Sequence, residues 1–309
     1  MPLLSVVIPV YEAEECLPEL YRRLCLSLQA ISPDFEIFLV EDGGKDHSWD
    51  IIRELAKKDT RIKGIRFSRN FGQHYGITAG LDYCDGDWVV VMDCDLQDRP
   101  EDIPRLYQKA LEGHEIVLAK RVRRNDNPSK ILSSHFFYKL FSYLSGIEYD
   151  RDVGNFRILS RKVVDSFRPL RERLRFFGGL VHWLGFPTAS IDVEHDTRYK
   201  GKTTYTYGKL FRLAADAIID HSDRPLRLAV KFGFAMSGIA LLFGIYLLSR
   251  ALVLRSPVMG WSSLIVSLYF LSGIIIGILG VLGVYLGQTF NETKRRPLYV
   301  ITDSTFPYE

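Results

Sequence analysis

Four cysteines stand among 309 residues, at positions 16, 25, 84 and 94. No two form a C-x-x-C pair, and none lies at zinc spacing from a histidine. That argues against a disulfide scaffold or a structural zinc site and fits thiols kept in a reducing compartment. An excess of either charge is missing too. Forty basic side chains against 37 acidic ones leave a net charge of +3, so no general attraction to nucleic acid follows. No G-x-G-x-x-G follows the first apolar run and no Walker A pattern occurs, which removes the main support for a dehydrogenase or a P-loop enzyme. The N-terminus shows no basic stretch ahead of an apolar core and no small-residue cleavage site, so no cleaved secretory signal is expected.

Short apolar runs, by contrast, are plentiful. They lie at residues 5–10, 36–40, 62–67, 88–92 and 116–119, separated by amphipathic stretches at about 14–30, 48–57, 73–84 and 101–112. This alternation predicts an α/β domain with a mostly parallel, doubly wound sheet and right-handed crossovers. Ligands of such sheets bind beyond the carboxyl ends of the strands, and the strand ends here carry polar residues. The first run leads into Pro9-Val10-Tyr11-Glu12 and the second into Glu41-Asp42-Gly43-Gly44. Tyr11 suits stacking on a base or ribose, or is a half-buried surface aromatic. Asp42 suits accepting from a ring N–H, or is the Asp of an ordinary Asp-Gly turn. Gly72, Gly76 and Gly80 recur every four residues, which predicts a helix pressed close against the sheet. Its start is also a candidate for the neighbourhood of a donor's diphosphate.

The stretch Asp93-Cys94-Asp95-Leu96-Gln97 follows the most apolar of these runs. Two carboxylates and an amide at alternate positions on a strand exit suit one hard cation, Mg²⁺ or Mn²⁺, shared with phosphate. The competing reading is an acidic, solvated turn. Cys94 between the two aspartates reads as a small packing residue rather than a soft ligand.

Downstream, residues 120–127 form a basic, aperiodic run that ends at Pro128 and suits an anion-binding loop. Residues 131–144, which hold Phe136, Phe137, Phe141 and Tyr143 together with Lys139 and follow Lys130, read as an amphipathic helix at a membrane surface or beneath the domain, and residues 209–221 as a second one. Two long uncharged runs, 232–248 and 264–286, are each sufficient to span a bilayer about 30 Å thick. Arg224, Arg227 and Lys231 precede the first, Lys294, Arg295 and Arg296 follow the second, and the connection holds only Arg250 and Arg255. The bias places both termini in the cytoplasm. The second run contains Gly273-x-x-x-Gly277 and Gly283-x-x-x-Gly287, which permit close helix approach within the hairpin or between subunits of a homo-oligomer. The expected organisation is a cytosolic domain at 1–205, a juxtamembrane helix at 206–230, two spans within 231–290 (about 231–254 and 264–287) and a cytosolic tail at 291–309.

The residues then match a known pattern. Val7-Ile8-Pro9-Val10-Tyr11, Asp93-Cys94-Asp95-Leu96-Gln97 with Pro100-Glu101, Gly154-Asn155-Phe156-Arg157 with Ser160-Arg161, Arg198-Tyr199-Lys200-Gly201, Pro225-Leu226-Arg227 and Arg296-Pro297-Leu298-Tyr299 are its most specific parts. The chain resembles the family 2 glycosyltransferases with a GT-A fold, and among them the polyprenyl-phosphate glycosyltransferases. These include dolichyl-phosphate mannose synthase, the O-antigen glucosyl transferases and the lipid A aminoarabinose transferase. Arg69-Asn70-Phe71-Gly72-Gln73-His74 is most similar to the last branch. The resemblance implies that Pro9, Tyr11, Glu12, Asp42 and Asp93 bind a nucleotide sugar, and that Asp95 and Gln97 hold Mg²⁺ or Mn²⁺. It further implies that Arg121, Ser134, Arg157 and Arg198 serve the acceptor phosphate. Asp93, Asp95 and Arg198 are the expected catalytic set. Departures are visible: Glu12-Ala13 stands where Asn-Glu is usual, with Glu12 or Glu14 as the substitute, and Lys202 and Thr204 replace the usual Glu and Lys.

The expected activity is transfer of a sugar, with inversion, from a nucleotide-diphosphate sugar (UDP before GDP) to undecaprenyl phosphate in the bacterial inner membrane, for cell-envelope glycan modification such as that of lipopolysaccharide. A lipid phosphate is already largely dianionic at neutral pH, which fits the lack of a triad-like arrangement. Two other readings stand beside it. One is a processive polysaccharide synthase, which lacks its Gln-x-x-Arg-Trp here. The other is a non-catalytic membrane scaffold or flippase subunit.

Overall fold

The computed structural model describes residues 3–121, 153–173, 175–194, 222, 224–254 and 260–308. The chain divides into two compact units, one holding the sheet and the last residues of the chain, the other holding two long helices.

The sheet unit begins with β1 (Leu4–Val10), whose seven residues are all buried. A run apolar on both faces belongs in the middle of a parallel sheet covered on both sides. β1 accordingly lies between β2 (Phe35–Glu41) and β4 (Trp88–Val91), parallel to each. β3 (Ile62–Phe67) continues the parallel set beside β2. Pro9 fits its central strand because the β4 ladder has already ended opposite Val7, with the Met92 N–H donating to the Val7 carbonyl. The missing proline N–H therefore faces no partner strand.

Beyond β4 come β6 (Val153–Ser160), antiparallel, then β5 (Ile116–Arg121) and β7 (Thr188–Val193). At the other edge stands β8 (Ile301–Ser304), antiparallel to β3. The full order is β7-β5-β6-β4-β1-β2-β3-β8. The expected doubly wound, mostly parallel sheet is present, and the chain reverses direction across it between β2 and β4, on either side of β1. That is the switch point at which such sheets bind ligands.

Helices cover both faces. Leu17, Leu20, Leu24 and Leu28 of α1 (Leu17–Gln29), Trp49, Ile52 and Leu55 of α2 (Ser48–Lys58), and Ile103 and Leu106 of α4 (Ile103–Ala110) pack on one. On the other lie α3 (Gln73–Tyr83), α5 (Arg161–Phe167) and α6 (Phe177–Trp183), through Ile77, Leu81, Val163, Val164, Phe167, Phe177 and Leu180. The glycines of α3 face β1 at very short range. A Cβ on Gly76 would stand 3.1 Å from the Pro9 Cβ, and one on Gly80 only 2.2 Å from a Val7 methyl. This is the close helix–sheet contact that the glycine spacing predicts.

Five elements differ from the sequence reading. α1 starts at Leu17, with Pro18 in its first turn, rather than near residue 14. A single 3₁₀ turn, Pro100–Asp102, precedes α4. β6 and β7 were not read as strands; β7 mostly alternates exposed with half-buried residues on the sheet edge. Residues assigned to a tail instead supply β8, held by several contacts. Tyr299 stacks on Phe67 at 5.1 Å and donates to Asp82 Oδ2 at 2.7 Å. The indole of Trp49 donates to Asp303 at 3.2 Å, and the Gly64 N–H to Thr305 Oγ1 at 2.8 Å.

The second unit contains α7 (Arg224–Leu254) and α8 (Trp261–Thr293), which pack on each other. Within α8, Ser267–Thr293 is long and apolar enough to cross a membrane, and it is the one such segment among the described residues. Nothing lies within 4 Å of where a Cβ would stand on Gly273, Gly277, Gly283 or Gly287. The proposed amphipathic helices at 131–144 and 209–221 lie outside the described residues. Arg224 and Arg227 open α7 itself, in the stretch assigned to a juxtamembrane helix.

Replacing Gly80 by valine forces a branched side chain into a fully buried Val7. It is expected to cost about 1–3 kcal/mol, read as a lower midpoint in denaturant unfolding.

Candidate active site

The site assembles where β1, β2 and β4 end. Past Val91 the chain turns sharply. The Asp95 carboxylate accepts the Gln97 N–H at 3.1 Å, closing an Asx turn. Between them Leu96, only 2% exposed, takes a φ of 60°. That left-handed conformation is costly for a γ-branched residue, and burial of its side chain among α1, α4 and the sheet core holds it there. Asp95 and Gln97 thereby share one short turn.

Asp93 is held differently. Its Oδ1 accepts from Gln73 Nε2 at 2.7 Å and from Asn155 Nδ2 at 3.2 Å. Gln73 is the first residue of α3 and Asn155 lies near the start of β6. Burial, then the nearby Asp98 and Asp95, push the Asp93 carboxyl up to about 6, partly opposed by the Asn155 bond. Asp98 is 2% exposed and accepts from Arg121 Nη2 at 3.2 Å. Burial raises its carboxyl as well, with Arg121 opposing. Arg121 ends β5 and passes so close to Gly154 that a Cβ there would sit 2.8 Å from its Nη2. A side chain at this position would have to displace that guanidinium.

On the β1 side Tyr11 is 44% exposed. Burial and Glu12 raise its hydroxyl. Glu12 adopts a φ of 48° at the turn out of β1. Asp42, expected to meet a base, is 2% exposed and bonded at both oxygens: Phe71 N–H at 2.7 Å and Gly72 N–H at 2.8 Å. Desolvation lifts its carboxyl to about 6. Its role in this structure is to pin the loop that delivers Gln73. Glu41 receives the Gly44 N–H and Arg66. Glu14 accepts the His47 N–H at 2.8 Å.

Arg157, expected at the acceptor, is 5% exposed. It donates to the carbonyls of Gly154 at 2.7 Å and Asn155 at 3.2 Å, with its guanidinium 4.9 Å from the centre of the Phe177 ring. The Cys94 thiol bonds the Tyr11 backbone and is pushed up to about 12 by burial, in keeping with a packing residue. All four cysteines are free. Ser134 and Arg198 lie outside the described residues. The structure thus brings Pro9, Tyr11, Glu12, Asp42, Asp93, Asp95, Gln97 and Arg121 to the strand ends. It adds Gln73, Asp98 and Asn155, which the sequence reading gave no role. For Gln73 and Asn155 the only signal was membership of the motifs already quoted, since they lie 20 and 62 residues from Asp93.

With this geometry in view, comparison with known proteins is decisive. Residues 5–168 match the glycosyl transferase family 2 domain. The chain belongs to glycosyl transferase family 2. Relatives extend the family 2 likeness over nearly the whole length. The uncharacterized glycosyltransferase YkcC of Bacillus subtilis (strain 168) is 41% identical over 97% of this chain and 93% of its own. A prophage bactoprenol glucosyl transferase homolog of Escherichia coli (strain K12) is 37% identical over 96% of this chain and 98% of its own. Among solved structures, glucosyl-3-phosphoglycerate synthase from Mycobacterium tuberculosis, in complex with Mn²⁺, uridine diphosphate and phosphoglyceric acid, matches with a TM-score of 0.51. It covers 71% of this chain and 77% of that one at 15% identity, a likeness of fold. This family 2 enzyme therefore has the GT-A architecture that the resemblance implied, and it is a glycosyltransferase.

Asp42→Ala strands two backbone N–H groups at the start of the loop ahead of α3. The expected loss is about 1–3 kcal/mol for leaving such groups unsatisfied, measured by denaturant unfolding.

Proposed function

We propose that this glycosyltransferase moves a sugar from a nucleotide-diphosphate sugar, UDP-linked, to a polyprenyl phosphate, and that it works with inversion at a membrane. The observation that carries this reading is the likeness to bactoprenol glucosyl transferases over 96% or more of the chain, well beyond the family domain. It includes the long helices that a soluble sugar transferase has no need of. Undecaprenyl phosphate and UDP-glucose are the substrates to test first.

The donor set at the strand end suits a divalent cation. Asp95 and Gln97 would hold it, and all the candidate donors are hard oxygens. Among the described residues no group of three or more His, Cys, Asp or Glu side chains is arranged to hold a metal. Mg²⁺-type sites use one or two carboxylates and complete the shell with water and substrate phosphate. Burial first, and then the neighbouring Asp98 and Asp95 carboxylates, raise the Asp93 carboxyl. When bound, such an ion neutralises charge on the departing diphosphate.

The chain's own residues do the rest. Tyr11 offers a face to the nucleotide, Asp93 accepts from the donor, and Arg121, anchored on Asp98, presents a guanidinium for phosphate. An acceptor phosphate oxygen forms the new bond to the anomeric carbon as the bond to the diphosphate oxygen breaks, and the nucleoside diphosphate leaves. The acceptor carries its own charge, so no strong base is required. In this reading both α7 and α8 span the membrane, with the sheet unit on the cytoplasmic side, and Arg198 and Ser134 complete the acceptor site.

Membranes containing the protein, incubated with labelled UDP-glucose and undecaprenyl phosphate, should yield butanol-extractable label. No extraction with any nucleotide sugar tried would overturn the lipid acceptor. Asp95→Asn should stay folded, yet lose transfer by on the order of 10³-fold, the scale of removing a charge-stabilising group. Chelation with EDTA should abolish transfer, and added Mn²⁺ should restore it.

A further inference from the structure

The first carboxylate oxygen of Asp93 already receives two hydrogen bonds. Two amide N–H donors, from the N-terminus of α3 and the start of β6, meet on Oδ1 at 2.7 and 3.2 Å. Each donor is itself braced. Gln73 directly follows the loop that Asp42 fixes through the Phe71 and Gly72 N–H groups. Asn155 is held through its own carbonyl and that of Gly154 by the buried Arg157. A carboxylate oxygen offers about two lone pairs. With both of those on Oδ1 taken, Oδ2 is the oxygen turned to any ligand.

We infer that Gln73 and Asn155 are positioning residues that act through Asp93: they clamp Oδ1, fix the rotation of the carboxylate and reserve Oδ2 for the donor nucleotide. This inference rests on the donor reading above. Arg157 thereby belongs to the same device, since it sets the strand start from which Asn155 reaches across. Neither amide touches the reacting atoms. Their contribution is pre-organisation of a carboxylate that would otherwise turn freely, comparable to the outer groups that orient metal ligands.

The clamp makes an ordering that packing does not. A residue needed only for shape tolerates an isostere better than a truncation. A residue needed as an N–H donor to a carboxylate does the reverse, because a second carboxylate in its place repels the first. The experiment is calorimetric titration of the purified full-length protein with UDP in the presence of Mn²⁺ at pH 8, for the unmodified chain, Gln73→Ala, Gln73→Glu, Asn155→Ala and Asn155→Asp. Unfolding midpoints are measured alongside. The alanine variants should weaken UDP binding by about 10-fold, the lower end for loss of an orienting group. The acidic isosteres should weaken it further, with midpoints held within about 2 °C. Glu at the first position of a helix is favourable to the helix itself, so Gln73→Glu separates the clamp from the fold. Acidic isosteres that bind as well as, or better than, alanine overturn the clamp. So does a loss of affinity matched in every variant by a fall in midpoint. An unmodified protein that binds no UDP overturns the donor reading, and the clamp with it.

Discussion

The depth at which α3 lies on β1 governs the rest of the site. Gly80 lets the helix backbone sit against Val7 at a distance no Cβ would allow, and Gly76 brings it tightly against Pro9. That depth, with Asp42 gripping the preceding loop, brings the first residue of the helix to Asp93. A helix raised by one methyl thickness would carry Gln73 out of hydrogen-bonding reach. Packing on the far side of the sheet centre is therefore coupled to the orientation of a carboxylate in the cleft. Close-packed interiors transmit such displacements rather than absorb them.

Electrostatics at the strand ends runs against the stability of the isolated domain. Glu41, Asp42, Asp93 and Asp98 all lie in surroundings that raise their carboxyls, with desolvation as the leading cause each time. Arg66 and Arg121 offset part of this from the sheet. Concentrations of perturbed carboxylates in a cleft are characteristic of functional sites. The cost is recovered when a ligand brings positive charge or hydrogen-bond donors, so ligand binding and domain stability are linked.

Much of this was legible in the sequence. Apolar runs placed the central strands to within a residue or two, because strands buried on both faces have no polar alternation to blur them. The turn Asp93–Gln97 was legible since its residues are contiguous. What escaped depended on distant partners. β7 and β8 are edge strands with polar, exposed positions, and their pairing comes from the neighbour rather than from their own pattern. Gln73 and Asn155 come to Asp93 only through the fold. Asp42 was legible as a strand-end residue, but which groups it accepts from, Phe71 and Gly72, was not.

The position of β8 has a consequence for how the protein is made. Its partner, β3, is complete by residue 67, whereas β8 begins at Ile301, after both long helices. During synthesis the β3 edge is an unpaired row of N–H and C=O groups, open to other strands. The sheet acquires this strand only after both long helices have been made. Until then the nascent chain carries an open edge, which is when chaperones have most reason to hold it.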